Sequence, residues 1–107
     1  MFKFNLHIWS ATTIAEVQVA GIVDRSGNAI VSGEEFSCNR LQSGHYLISF
    51  HSPLPETAVP VATVVGSPWE TFQMSVAIVN ISPNDIVLVT STPNQPEDCG
   101  FSFMVTY

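Results

Sequence analysis

Short apolar segments separated by turn-forming residues run along the whole of this 107-residue chain. Residues 36–41 and 45–51, for instance, are joined by a Gln-Ser-Gly sequence, and glycine supplies the positive φ that a tight turn requires. In these two segments apolar side chains recur at every second residue, which is the period of a strand and not of a helix. This pair of segments therefore predicts a β-hairpin, and the chain as a whole predicts strands with no significant helix.

The predicted fold class is all-β: a single domain over residues 1–107, built as an antiparallel β-sandwich or jelly roll of about eight strands. Pro60 falls inside one strand segment. Because proline cannot donate a hydrogen bond to the ladder, we expect it on an edge strand or at a bulge. The segments with strand character are residues 2–8, 14–23, 29–32, 36–41, 45–51, 58–65, 72–81, 86–92 and 99–107.

The charge balance excludes two classes of partner. Hydrophobic residues make up 46% of the chain and charged residues 11%, whereas a disordered chain combines low hydrophobicity with high charge. Three basic residues stand against nine acidic ones, which gives a formal net charge of −6. Nucleic acids are bound by clustered lysine and arginine, so neither nucleic acid nor an anionic membrane surface is an expected partner.

No targeting signal is predicted. Lys3, Asn5 and His7 interrupt the N-terminal apolar positions, whereas a secretory signal needs an unbroken apolar run of about 7–15 residues. No apolar run approaches the roughly 20 residues of a membrane span. We therefore expect no membrane insertion and a location that is cytoplasmic or associated with a phage or other particle. Cys38 and Cys99 are expected to be free thiols, the usual state in a reducing compartment, with a disulfide between them as the less favoured alternative.

The second half of the chain departs from the alternation that a sheet with one wet face shows. Residues 59–65, 74–79 and 86–89 are apolar on both faces of the predicted strands. A two-layer sandwich has one interior, so the second face needs another cover, unless small residues such as Ala62 and Ala77 leave little to cover. We expect a homo-oligomer, with a trimer around a threefold axis preferred. The residues expected at this interface are Val61, Val64, Met74, Val76, Ile78, Val87 and Val89.

Four sequence features carry a family resemblance. They are GIV followed by glycine at residues 21–27, FSCNR at 36–40, GHYLISF at 44–50 and FSFMV at 101–105. In these features the chain resembles the small β-sandwich modules at the C-terminal ends of phage tail fibres and bacterial surface proteins. It is also distantly similar to the trimeric C1q-like and tumour-necrosis-factor-like jelly rolls. The resemblance implies a homotrimer that displays loops for recognition, often of glycans. C1q-like domains are longer and follow a stalk, so a free-standing small oligomer is an equal expectation.

The spacing of reactive side chains predicts no catalytic residue, no metal site and no cofactor. His45 and His51 share a strand face but lie roughly 20 Å apart, too far to ligate one ion. Glu34 and Glu35 are neighbours in a strand and point to opposite faces, so they do not form the carboxylate pair of a glycosidase. The leading expectation is a non-enzymatic protein. The alternative is a small enzyme with a site at a subunit interface, using His45 or His51 with an acidic neighbour.

Arg40 should point to the same, otherwise apolar, side of its strand as Phe36 and Cys38, because the three are spaced two residues apart. A guanidinium that is taken out of water requires a partner of opposite charge. We expect a structural ion pair between Arg40 and an acidic residue, either Asp98 or Glu35.

Loops are expected to carry the function, because the strand faces are committed to core and interface. Residues 66–71 precede, and residues 93–98 follow, two strands that would pair in a meander, so both connections would share one end of the sandwich. An aromatic ring beside hydrogen-bonding groups suits a carbohydrate, although Trp69 could instead cap the core. The candidate ligand-binding residues are Trp69, Glu70, Asn94, Gln95, Glu97 and Asp98.

Overall fold

A computed structural model describes residues 3–8, 11–32 and 35–107. Within these ranges the backbone forms nine strands and one helical turn, and the predicted all-β class is confirmed. In chain order the elements are β1 (Lys3–Ile8), β2 (Ala11–Val23), β3 (Ala29–Ser32), β4 (Phe36–Gln42), β5 (His45–Phe50), β6 (Val59–Val65), α1 (Pro68–Thr71), β7 (Ser75–Ile81), β8 (Asp85–Ser91) and β9 (Gly100–Thr106).

The strands belong to two antiparallel sheets. One sheet has the order β1-β2-β9-β6, with β3 also paired to β2, and the other has the order β4-β5-β8-β7. The predicted hairpin is the β4–β5 pair, in which Phe36 lies opposite Phe50. Pro60 lies on β6, the terminal strand of its sheet, as its missing N–H requires.

Two predicted strand boundaries differ from the structure by more than one residue. β2 begins at Ala11 and not at residue 14, because its first residues pair with β1. β7 begins at Ser75 and not at residue 72, because the residues before it form α1. The sequence before β7 favours a helical turn, because Ser67 is a good N-cap residue and Pro68 suits the first helical position. Over so short a segment this local preference outweighs the preference for a strand. Phe2, at the start of the first predicted strand, lies outside the described residues.

The core lies between the two sheets and is built from alternate residues of the strands. β5 and β8 bury every second side chain, which places Tyr46, Ile48, Ile86 and Leu88 in the interior. Aromatic rings from the two sheets meet edge to face: Phe36 and Phe103 have centroids 4.8 Å apart, and Tyr46 and Phe101 have centroids 5.1 Å apart. Such pairs contribute about 1 kcal/mol each beyond their buried area, so they help to fix how one sheet sits on the other.

Phe101→Ala should lower the free energy of unfolding by about 3–5 kcal/mol, because the ring is fully buried and its removal leaves a cavity. Urea denaturation followed by circular dichroism measures the change. Met104→Ala on the same strand is the matched control. Its side chain points outward and is exposed, so its cost should stay below about 1 kcal/mol. Equal costs for the two variants would contradict the assigned register of β9.

Candidate ligand-binding cleft

An open cleft lies at one end of the sandwich, where three connections meet. They are the turn after β2, the connection from β6 through α1 to β7, and the segment that leads into β9. The cleft encloses about 190 Å³. It is lined by Arg25, Trp69, Glu70, Glu97, Asp98, Cys99 and Gly100. Because β7 pairs with β8, the two predicted loops do share one end, and four of the six candidate residues meet there.

The helical turn α1 presents Trp69 at the rim of the cleft. Ser67 caps the turn, and its Oγ accepts a hydrogen bond from the Glu70 amide at 3.3 Å. Pro68 fits the first helical turn, where a backbone N–H would have no helical acceptor. Trp69 is 93% exposed. It therefore does not cap the core within this chain, and that alternative is wrong.

The carboxylate of Asp98 anchors the segment that forms one wall of the cleft. Arg40 Nε donates to both of its oxygens, at 3.0 Å to Oδ1 and 2.9 Å to Oδ2. The Gly44 amide donates to Oδ1 at 2.7 Å. The Tyr46 hydroxyl donates to the Arg25 carbonyl at 2.7 Å and lies 3.3 Å from the same Oδ1. Of the two partners predicted for Arg40, Asp98 is the one that the structure shows.

These contacts shift two pKa values. Burial favours a higher pKa for Asp98, but hydrogen bonds from Arg40 and from the Gly44 amide oppose it, and the net pKa lies below its ordinary value. For Tyr46, burial and the nearby negative charge of Asp98 raise the pKa to about 12. Asp98 is therefore ionised and Tyr46 neutral throughout the physiological range.

Asp98→Asn should lower the free energy of unfolding at pH 7, because the amide keeps the shape of the side chain but loses the charge that Arg40 binds. The pKa of Asp98 is lower in the folded protein than its usual value of about 3.9 in an unfolded chain. The advantage of the wild type is therefore fully present above about pH 4 and is lost as the pH falls through the folded pKa. Urea denaturation from pH 7 to pH 2.5 measures it. Asp85→Asn, at the opposite end of the sandwich, is the control, and the same pH profile there would contradict the assignment.

Gly44 allows the β4–β5 turn to approach the wall of the cleft. Its φ is +72°, a backbone conformation that residues other than glycine rarely adopt. A Cβ here would collide with the Thr90 carbonyl oxygen and lie 2.8 Å from the Glu97 nitrogen. The Thr90 side chain is fully buried and donates to the Glu97 carbonyl at 2.6 Å. The turn, the end of β8 and the segment before β9 are thus packed backbone against backbone.

Gly44→Ala should therefore be strongly destabilising: about 1–3 kcal/mol from the backbone conformation, plus the displacement of Glu97. Gly66→Ala is the control. The nearest atom to its new Cβ would be Glu70 Oε2 at 2.8 Å, the free end of a flexible side chain that can move away. Thermal unfolding should show a much larger loss for Gly44→Ala, and equal losses would mean that the close approach at Gly44 is not what stabilises this end.

The structure places the other two candidate residues elsewhere. Asn94 and Gln95 form a tight turn in which both backbone amides donate to Thr92 Oγ1 at 3.2 Å, and neither residue lines the cleft. Being polar loop residues did not by itself bring them to the cleft, and their part in ligand binding stays a prediction. Conversely, Arg25 was missed. It follows β2, and only the pairing of β2 with β9 brings it beside Gly100, a pairing that no local signal marks.

Both cysteines are free thiols. Cys99 is buried and lines the cleft. Burial raises its pKa, Glu70 and Glu97 raise it further, and Arg25 opposes them. Burial and the charge of Asp24 raise the pKa of Cys38 to about 11. Neither side chain has the lowered pKa that activates a thiol as a nucleophile.

The seven residues expected at a subunit interface do not share one surface. Val61 points outward from the five-stranded sheet, whereas Val87 and Val89 lie on the outer face of the other sheet. Val76 and Ile78 pack against the core. Val64 and Met74 are half-buried, and Val64 lies opposite the buried Phe101. The apolar faces of β6 and β7 are thus divided between the interior and the exterior of the chain.

The histidines of the enzymatic alternative lie outside the cleft. His45 Nδ1 is 2.8 Å from the Ser43 carbonyl oxygen, and His51 is exposed, with its amide donating to the Glu35 carbonyl. Within the ranges that the structure covers, no group of three or more histidine, cysteine or acidic side chains is placed to hold a metal ion.

Comparison with known proteins gives no relative. No protein family matches the chain. Searches of curated proteins and of solved structures also find no match. In the described part of the chain, no helix has the length and apolar character needed to cross a membrane.

Proposed function

We propose that this protein is a non-enzymatic recognition module that binds carbohydrate weakly through the cleft and acts as a homo-oligomer. The observation that carries the proposal is Trp69, which is 93% exposed at the rim of a cleft with polar walls. Exposing a large aromatic ring to water is unfavourable unless a ligand covers it, and the face of a sugar ring is a suitable cover.

The charges in the cleft favour a neutral ligand. Asp98 is already paired with Arg40, so its charge is largely compensated. The walls also contain two carboxylates and one guanidinium, those of Glu70, Glu97 and Arg25, which can accept and donate hydrogen bonds. Carboxylates accept from hydroxyl groups and a guanidinium donates to them, and such charge-assisted hydrogen bonds are stronger than neutral ones. The volume of about 190 Å³ lies below the roughly 300–1,000 Å³ of a drug-sized pocket, which suits a single sugar unit.

A shallow site of this kind binds weakly, and a homo-oligomer compensates for that. Stacking on one aromatic ring contributes on the order of 1 kcal/mol beyond the buried area. Presenting several clefts on one particle raises the overall affinity without any new contact. We propose a trimer, in keeping with the resemblance to trimeric tail-fibre and C1q-like modules, with the sandwich ends carrying the clefts.

A glycan array tests the binding function. Trp69→Ala should abolish the signal, and Trp69→Phe should keep part of it, because a smaller ring still stacks. Asn94→Ala is the matched control. It lies in the connection between β8 and β9 but outside the cleft, so it should bind as the wild type does. No glycan bound by the wild type, or equal loss in Asn94→Ala and Trp69→Ala, would refute the proposal.

A further inference from the structure

Two large aromatic side chains protrude from the connection between β6 and β7. Trp69 in α1 is 93% exposed, and Phe72, which is the C-cap of the same turn, is 80% exposed. No residue of α1 is buried, and neither ring belongs to the core between the two sheets. Apolar side chains scattered singly over a surface are ordinary, whereas two exposed rings on one turn are typical of a contact site.

The backbone of the turn brings these two residues together. Phe72 continues the helical geometry of α1, with φ −51° and ψ −40°. Residues three apart on such a backbone are neighbours on one face, with Cβ atoms about 5–6 Å apart. The amides of Glu70 and Thr71 both donate to the Ser67 carbonyl oxygen at 3.0 Å. The turn therefore forms through its own hydrogen bonds, without burying either ring.

Phe72 extends the aromatic surface beyond the cleft. Trp69 lines the cleft, and Phe72 does not. A cleft of about 190 Å³ suits a single sugar unit. A second unit joined to the first would leave the cleft past the rim, where Trp69 stands, and meet the face of the turn that carries Phe72. The spacing of the two Cβ atoms is close to the length of one pyranose unit.

We infer that the ligand is a linear oligosaccharide, with one sugar unit in the cleft and the next unit stacked on Phe72. This inference rests on the proposed carbohydrate binding, to which it adds a second subsite and a minimum length of ligand. An aromatic ring covers the apolar face of a sugar ring and leaves the hydroxyl groups at its edge free to form hydrogen bonds. Next to Phe72, the exposed Gln73 has an uncharged amide that both donates and accepts.

The composition of the segment disfavours a membrane or an apolar protein surface as the occupant. Amphipathic segments that bind the membrane interface join aromatic residues to lysine and arginine, but residues 66–75 contain one acidic residue and no basic one. The core of a protein–protein contact is depleted of charge and rich in apolar groups. Here the two rings alternate along the chain with hydroxyl, carboxylate and amide side chains, those of Ser67, Glu70, Thr71 and Gln73.

NMR titration with free neutral glycans tests the inference. The probes are oligomers of glucose, galactose, mannose and N-acetylglucosamine, each from the monosaccharide to the tetrasaccharide. The affinity of the wild type should rise about fivefold from monosaccharide to disaccharide, because one further ring is stacked. Phe72→Ala should remove this gain and change the affinity for the monosaccharide little, because the first unit occupies the cleft alone. Phe72→Tyr keeps the ring and should restore the gain.

Tyr107→Ala is the matched control. It removes an aromatic ring that is 39% exposed and follows the far end of β9, whereas Gly100 at the near end of this strand lines the cleft. This variant should bind every probe as the wild type does. Because a short free glycan engages one cleft at a time, self-association of the protein adds no avidity to these affinities.

The outcomes separate the two proposals. If the wild type binds a monosaccharide as tightly as the longer probes, or if Phe72→Ala loses equal affinity for all lengths, only the second subsite is overturned. If the wild type binds none of the probes, this inference fails, and the proposed carbohydrate binding fails with it when the glycan array is also blank. Binding to phosphatidylcholine vesicles that Phe72→Ala abolishes, in the absence of glycan binding, would assign the two rings to a membrane surface and overturn both.

Discussion

The carboxylate of Asp98 joins parts of the backbone that are far apart in the sequence. It receives hydrogen bonds from Arg40 at the end of β4 and from the Gly44 amide in the next turn, and the Tyr46 hydroxyl links it to the carbonyl of Arg25. One anionic group thus ties the β4–β5 end of one sheet to the turn after β2 in the other, and to the segment that joins β8 to β9. Since this group is only partly exposed, each contact is stronger than the same contact in water.

The same carboxylate determines what the cleft can offer a ligand. Its charge is used inside the protein, so under the proposed function the groups left to meet a ligand are Glu70, Glu97 and Arg25. Trp69 is held away from the core by the capped turn of α1, so its ring lies in solvent beside the cleft.

Much of this arrangement could be predicted from local sequence patterns. Alternation of apolar side chains at every second residue predicted the strands and the β4–β5 hairpin. The assumption of an antiparallel meander predicted that Trp69 and Glu70 lie at the same end as Glu97 and Asp98. The predictions that failed depended on pairings between strands that are distant in the sequence. Arg25 reaches the cleft only because β9 pairs with β2. The strands that are apolar on both faces were predicted to lie at one interface. The sheet order instead divides their side chains among the core and two outer faces, and the composition of a strand does not reveal this division.

The position of β9 between β2 and β6 has a consequence for biosynthesis. β6 pairs with β9, whose residues follow it by some forty positions, so the ribosome completes β6 well before its partner exists. Throughout that interval β6 is an apolar strand with two free edges, the kind of segment that aggregates. Pro60 removes one backbone N–H donor from this strand in the nascent chain as well as in the finished sheet. It therefore acts as a gatekeeper during synthesis, at a stage when the sandwich does not yet exist to protect the strand.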